Sequence, residues 1–353
     1  MGDADNFHVV LRSRPGESNE PLESNFSYEK KAYPTETLSS GDLLIKNRFL
    51  SLDPALRCRM NEDSGVQYIK AWELGKTVDG LGGVGEVIAS ADSSFQPGDI
   101  VTPNFEWPWE LYFVVKANTV RKLPEAMTQI SPTLCLSVLG VTGLTAYLGV
   151  KEKGHIRRDA NQVMVVSAAA GSTGSLAGQI GKAEGCGKLV GICGSDTKCQ
   201  WLTTELGFDV AINYKTENVS EKLEAVCPEG VDVYFDNVGG SISNDVIRKM
   251  NQDSHIILCG QIADYNKDLP YPPPIPTDIE ATLKDKNITR ERFLVLNYQD
   301  QFEPALGRLM ELYVQGKLKV KETIEMGLEN AGKAFVSMMK GGNIGKQIVQ
   351  VTR

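Results

Sequence analysis

The stretch 163–182, VMVVSAAAGSTGSLAGQIGK, runs an apolar segment into a small-residue turn and out into a helix-like segment. Gly171 and Gly174 have the spacing of the second and third glycines of a G-x-G-x-x-G fingerprint. In such a turn the second glycine lets the backbone approach a pyrophosphate, and the third lets the helix pack close to the strand. Ser172 and Thr173 fall between them, where free N–H groups at a helix N-terminus attract an anion. Ala169 occupies the place of the first glycine, and alanine serves there only with a negative φ. The competing reading is packing alone, and the surrounding elements must decide.

A second turn, CGSDTK (193–198), discriminates between dinucleotides. An NAD site wants an acidic side chain at the strand end to hold the ribose 2′-OH. Here the strand ends Cys193-Gly194-Ser195, and Asp196, two residues past Gly194, is expected to cap the next helix. Lys198 supplies a point charge and Ser195 a hydroxyl, both suited to a 2′-phosphate. Tyr214, after the next apolar run, adds a phenol that can bond the phosphate or stack on adenine. Together these favour NADPH, against the plainer reading of a solvated lysine and a packing tyrosine. Farther on, CGQIADYNKDLPYPPPIP (259–276) carries Tyr265, whose phenol could donate to an enolate oxygen as charge develops. The alternative is a loop tyrosine packed against prolines.

These residues need a scaffold that brings them to one edge, and the pattern supplies it. Apolar runs at 163–166, 189–193, 209–213, 231–236 and 255–260 alternate with helix-like stretches. That alternation implies an α/β fold with a doubly wound parallel sheet, binding ligands outside the carboxyl ends of its strands. The residues to interrogate are those just after each run, Asn237 among them. Before about residue 130 the pattern differs. LLIKNRFLSL (43–52), GVGEVIAS (83–90), DIVT (99–102) and LYFVV (111–115) are strand-like runs between Gly-Asp and Pro turns. The tail ends in strand-like KQIVQV (346–351), which on pattern alone could join either half.

Composition narrows the function classes. The 353 residues allow two domains, and 41% hydrophobic with 23% charged residues suits a globular enzyme. A net charge of −8 argues against nucleic acid or an anionic membrane as partner. No secretory signal or membrane-length apolar stretch is visible. Seven cysteines without close pairs read as reduced thiols, so a cytoplasmic location is expected. The three histidines, His8, His155 and His255, form no H-x-x-x-H, and no C-x₂₋₄-C exists, so no metal site is expected. Cys193 and Cys199 flank the second turn, six residues apart. His255 opens an apolar run and reads as a satisfied edge histidine rather than a base. Neither G-x-S-x-G nor a P-loop is present. A nicotinamide cofactor is left to carry the chemistry.

SLDPALRCRM (51–60), LGVTGLTAY (139–147), AAAGSTG (168–174), YFDNVGG (234–240), ILCGQI (257–262) and GGNIGKQIV (341–349) together resemble the zinc-free medium-chain dehydrogenase/reductase family. CGQIADYNKDLPYPPP (259–274) and NITRERFLVLNY (287–298) look like its prostaglandin reductase branch, the 15-oxoprostaglandin 13-reductases. The resemblance covers essentially the whole chain. It implies a β-rich GroES-like catalytic domain at 1–130, interrupted by an NADP-binding Rossmann domain at 131–320 and completed at 321–353. It also implies NADPH-dependent reduction of the carbon–carbon double bond of α,β-unsaturated ketones, with 15-keto prostaglandins as the leading substrates. A quinone or short-alkenal reductase is the alternative, and a catalytically idle NADPH-binding protein is the alternative of another class. The chain would work as a monomer or homodimer.

Carried over by motif, Gly171, Ser172, Thr173 and Gly174 would hold the pyrophosphate, with Lys198 and Tyr214 at the 2′-phosphate. Asn237 would lie beside the ribose, and Cys259, Gly260, Gln261, Ile262, Ala263, Asp264 and Tyr265 along the nicotinamide ribose. Phe293, Leu294, Val295 and Asn343 would close around the nicotinamide. Tyr265 would organise the substrate carbonyl and a ribose hydroxyl. One departure stands out: the family's aromatic substrate wall reads Phe-Tyr before Trp-Pro-Trp, whereas here Glu106 follows Phe105. A carboxylate there would repel a lipid carboxylate or bond lipid hydroxyls.

Overall fold

The chain opens on two antiparallel strands, β1 (Asn6–Leu11) and β2 (Phe26–Lys31). β1 buries Val9, Val10 and Leu11, whereas β2 leaves Tyr28 to Lys31 exposed. There follow β3 (Asp42–Ser51), β4 (Asp79–Gly80), β5 (Gly83–Ser90), β6 (Ile100–Pro103) and β7 (Trp107–Pro108). β8 (Tyr112–Lys116), β9 (Val120–Lys122) and the short helix α1 (Glu125–Ile130) complete this part. Helix α2 (Val141–Lys153) leads into strict alternation: β10 (Val163–Ser167), α3 (Ser172–Glu184), β11 (Lys188–Cys193), α4 (Asp196–Glu205) and β12 (Val210–Asn213). It continues through α5 (Val219–Val226), β13 (Val231–Asp236), α6 (Gly240–Lys249), β14 (Met250–Leu258), α7 (Thr277–Asp285), β15 (Thr289–Arg292) and α8 (Phe302–Val314). β16 (Glu322–Met326), α9 (Ala331–Met339) and β17 (Lys346–Gln350) end the chain.

This computed structural model describes residues 5–34, 37–65, 69–270 and 272–352. The chain divides into two units, Met1–Leu136 with Glu322–Arg353, and Ser137–Lys321. The first holds a seven-stranded sheet in the order β16-β17-β3-β5-β6-β9, with β8 also paired to β3. β17 runs antiparallel to β3, setting Ile348 opposite Ser51. Beside that seam the buried Lys346 ammonium lies 2.9 Å from the Leu52 carbonyl and 2.5 Å from the Asp53 carboxylate. Trp107 and Trp109 are fully buried in this unit's core.

The second unit holds a six-stranded sheet in the order β12-β11-β10-β13-β14-β15, every pairing parallel. Counted along the chain that order is 3-2-1-4-5-6, the doubly wound arrangement, and it reverses between β10 and β13. All five residues of β10 are buried, as a central parallel strand covered on both faces requires.

Two boundaries depart from the sequence pattern. β14 begins at Met250, five residues before the expected run. Its polar opening is carried through a register shift against β13, and Asp253 adopts φ +56° with its N–H donating to the Lys286 carbonyl. At the other end Cys259 and Gly260 leave the strand, because both their N–H groups turn onto the Asp236 carbonyl. His255 stands on this interior strand rather than on an edge, with Nδ1 2.7 Å from the Thr289 hydroxyl. In the proline island at 271–276, Tyr271 lies outside the described residues, and Pro276 is the N-cap of α7. Among the described residues no helix is long and apolar enough to cross a membrane.

Candidate active site

The fingerprint turn links β10 to α3. Gly171 is the N-cap of α3, and no side chain caps the helix there. The N–H groups of its first turn therefore lack intrahelical partners, as at any helix start. Gly174 is required by contact, since a Cβ on it would fall 2.4 Å from the Ala168 carbonyl oxygen. The strain of the missing first glycine sits one residue early. Ala169 is not among the positive-φ residues, whereas Ala168 takes φ +47°. The Ala169 N–H is held by the Ile192 carbonyl of β11 at 3.0 Å. Ser172 donates from Oγ to Thr142 of α2, 2.9 Å away, and Thr173 lies beside it in the first turn of α3.

At the β11–α4 turn the cap differs from expectation. Ser195 is the N-cap, its hydroxyl accepting the Lys198 N–H at 3.3 Å. Asp196 instead accepts from the Asn213 amide at 2.7 Å, tying this turn to the end of β12. The carboxylate, one residue inside the helix, reaches the neighbouring strand more readily than the helix's own N–H groups. Burial pushes the Lys198 ammonium below its ordinary value, a drop that Cys193 opposes and the nearby Lys215 reinforces. Lys198 and Lys215 thus come near each other where β11 and β12 end, with the Asp196 and Glu217 carboxylates at the same corner. Tyr214 lies against Gly194: a Cβ on that glycine would stand 2.9 Å from the tyrosine ring. Tyr214 as a whole remains 44% exposed.

The third corner is built on Asp236, the last residue of β13, which is fully buried. Its Oδ1 accepts from the Tyr234 hydroxyl at 2.9 Å, the Val238 N–H at 3.0 Å, the Gly239 N–H at 2.9 Å and Ser167 Oγ at 3.2 Å. Its Oδ2 accepts from Ser243 Oγ at 2.7 Å. Asn237 is fixed to β10 by two bonds to Ser167, its N–H to Oγ at 2.9 Å and its amide to the carbonyl at 2.8 Å. Burial, then the Asp236 charge, raises the Tyr234 phenol well above its usual value, so it stays a proton donor. Arg290 faces the same carboxylate, and burial lowers its guanidinium while Asp236 and Tyr234 raise it.

This anchor positions the loop bearing Tyr265. Ala263 donates its N–H to the Val238 carbonyl at 3.0 Å, and Ile262 to Asn237 at 3.4 Å. Gly239 and Gly240, at φ +69° and +58°, make room: a Cβ on the first would stand 3.1 Å from Gln261, on the second 3.2 Å from Ala263. Asp264 ends a short 3₁₀ turn and pairs with Lys267 at 2.8 Å. The Tyr265 hydroxyl lies over Gly260, 3.5 Å from where a Cβ would be. Burial pushes the Cys259 thiol up to about 12, so it remains protonated. Farther along, Phe293 and Val295 are buried, the first stacked on Tyr298 at 5.2 Å between ring centroids, and Leu294 is half-buried between them.

Gly171 to Gly174, Lys198, Tyr214, Asn237 and 259–265 therefore all fall at the carboxyl ends of the sheet's strands in the second unit. Phe105, Glu106 and Asn343 belong to the first unit. There Phe105 is half-buried and Glu106 exposed, and Asn343 donates to the Gly345 carbonyl at 2.8 Å. Ser167, Asp236 and Lys215 were not singled out from sequence. The one available signal was a carboxylate closing the apolar run VDVYFD.

The region 8–123 matches a family model described as the N-terminal domain of oxidoreductase, and 172–310 one described as zinc-binding dehydrogenase. YfmJ of Bacillus subtilis, whose name designates an NADP-dependent oxidoreductase, is 38% identical over 98% of this chain and 97% of its own. The chain belongs to the medium-chain dehydrogenase/reductase family. Two further relatives in the family are prostaglandin reductase 1 of Rattus norvegicus, 38% identical over 94% of this chain and 95% of that one, and the NADPH-dependent curcumin reductase of Escherichia coli, 33% identical over 98% and 97%. CurA from Vibrio vulnificus in complex with NADPH superposes with a TM-score of 0.88 at 33% identity, covering 98% of this chain and 99% of that one. Although one family description names zinc, no three His, Cys, Asp or Glu side chains among the described residues are grouped to hold a metal ion.

Replacing Asp236 tests the anchor. Asp236→Asn keeps the shape but loses the charge, and should lower stability by about 1–3 kcal/mol in urea unfolding. Hydrogen exchange should quicken at the Val238, Gly239, Cys259 and Gly260 amides, while amides of the first unit keep their rates.

Proposed function

We propose that this chain reduces the carbon–carbon double bond of α,β-unsaturated ketones with NADPH, and that its substrates are lipid enones of the 15-keto prostaglandin kind. The reading rests on the stretches at 259–274 and 287–298, which resemble those of prostaglandin reductase 2, a 15-oxoprostaglandin 13-reductase. The observation that carries the reaction class is Tyr265, a phenol held over Gly260 by a loop docked on Asp236. Kinship along almost the whole chain with a prostaglandin reductase and a curcumin reductase supports it, curcumin being itself a conjugated enone.

The residues fit the cofactor. The uncapped start of α3, with Gly174 closing helix on strand, suits a pyrophosphate. Lys198 and Lys215 suit a 2′-phosphate, and the part-exposed Tyr214 suits the phosphate or adenine. Bound NADPH supplies a hydride. The chain's part is to fix the substrate carbonyl at the Tyr265 hydroxyl, which donates a hydrogen bond that strengthens as negative charge develops on that oxygen. Asn237, locked to Ser167, holds the floor of the ribose site. Protonation at the α-carbon by a proton from solvent completes the reaction.

The deciding experiment compares turnover of a 15-keto prostaglandin, a quinone and a short alkenal with NADPH. Preferred reduction of the first is expected. Preference for either of the others makes the chain a quinone or alkenal reductase, and NADPH binding without turnover of any makes it an idle binder.

Lys198→Ala should weaken NADPH binding by about 1–3 kcal/mol and leave NADH almost unchanged in fluorescence titration. Equal weakening of both would mean that Lys198 supports the turn instead of the phosphate. Tyr265→Phe should slow single-turnover reduction by roughly 10²–10³-fold with NADPH affinity nearly constant. An unchanged single-turnover rate would remove Tyr265 from the mechanism.

A further inference from the structure

Two thiols with no part in the reaction meet at the β11–α4 turn. Cys193 closes β11 and is buried, Cys199 lies half-buried near the start of α4, and their Sγ atoms are 3.4 Å apart. They bracket the five residues 194–198, which include the helix cap Ser195 and Lys198. Among the described residues no third donor joins them to make a metal site.

We propose that Cys193 and Cys199 are a covalent modification site, a dithiol that small disulfides oxidise to an internal disulfide, and that this bond weakens NADPH binding at Lys198. The second half rests on the reading of Lys198 as a 2′-phosphate ligand. Cys199, the more accessible, loses its proton and attacks a disulfide RS–SR; that S–S bond breaks, and the released thiolate takes up the proton. Cys193 then loses its proton and attacks the Cys199 sulfur of the mixed disulfide, displacing the second thiolate, which is protonated in turn. Two protein thiols are oxidised and one RS–SR is reduced to two RSH.

Geometry links the bond to the cofactor. A disulfide is about 2.05 Å long, so the two sulfurs must approach by roughly an ångström or more. The segment that has to yield carries the 3.3 Å cap between Ser195 and the Lys198 N–H, and has the Tyr214 ring pressed on Gly194. Burial holds the Cys193 thiol up at about 12 and raises that of Cys199. Exchange is therefore slow near neutrality and quickens as pH rises, since the thiolate is the attacking species.

The test treats the reduced full chain with glutathione disulfide at mildly alkaline pH, then measures intact mass, peptide connectivity and cofactor affinity. Expected are loss of two hydrogens, a Cys193–Cys199 crosslink, and an NADPH dissociation constant raised by roughly tenfold or more, with NADH little changed and dithiothreitol restoring the original value. Cys199→Ser should abolish crosslink and affinity change together, and Cys193→Ala should do the same, so a folding defect in one variant does not mask the result. Glutathione adducts without the crosslink overturn the site. Lys198→Ala in the reduced chain tests the cofactor reading separately; where that reading holds, a crosslinked chain with unaltered NADPH affinity overturns the proposed effect.

Discussion

The carboxylate of Asp236 is taken wholly out of water and held there by five hydrogen bonds from side chains and main chain. Such a charge is tolerated only when its lone pairs are satisfied, so the donors around it have little freedom to rearrange. They come from the end of β10, from Tyr234 of β13 and the turn after it, and from α6. Two further N–H groups, from the end of β14, converge on the same residue's carbonyl. One buried residue thus sets the relative height of the two strands flanking the topological reversal. The loop carrying Tyr265 inherits its position from that arrangement.

The scaffold was legible because parallel strands buried on both faces are written as continuous apolar runs. Val163 to Val166, Leu189 to Cys193 and Val231 to Asp236 needed no further information. β2 went unread for the opposite reason: FSYEKK is mostly exposed and has no apolar face to betray a strand. The polar start of β14 was invisible for the same cause. It is held by Asn251 bonding Asp232 on the neighbouring strand, a partner distant in sequence.

Among the candidate site residues, glycine spacing and the lysine after the second strand could be read directly, since close approach and charge are properties of residue type. Asp236 could not be, because its role depends on donors as far away as Ser167. The exchange of duties between Ser195 and Asp196 shows a related limit. Either side chain can cap a helix. Only the position of Asn213 decided that the carboxylate would turn away. Lys215 likewise gains meaning from the adjacency of β11 and β12. The chain as a whole is acidic, yet two lysines meet at this corner beside Asp196 and Glu217.

The pairing of β17 with β3 has a consequence for how the chain is made. Ile348 meets Ser51, and the Lys346 ammonium reaches Asp53, across nearly the full length of the sequence. Residues 137–321 are all synthesised before the last strand of the first sheet emerges. During translation the second unit has its whole complement of strands available while the first still lacks β16 and β17, so its exposed β3 edge must wait. Order of synthesis thus favours maturation of the nucleotide-fold half first, while the other half still presents an open sheet edge.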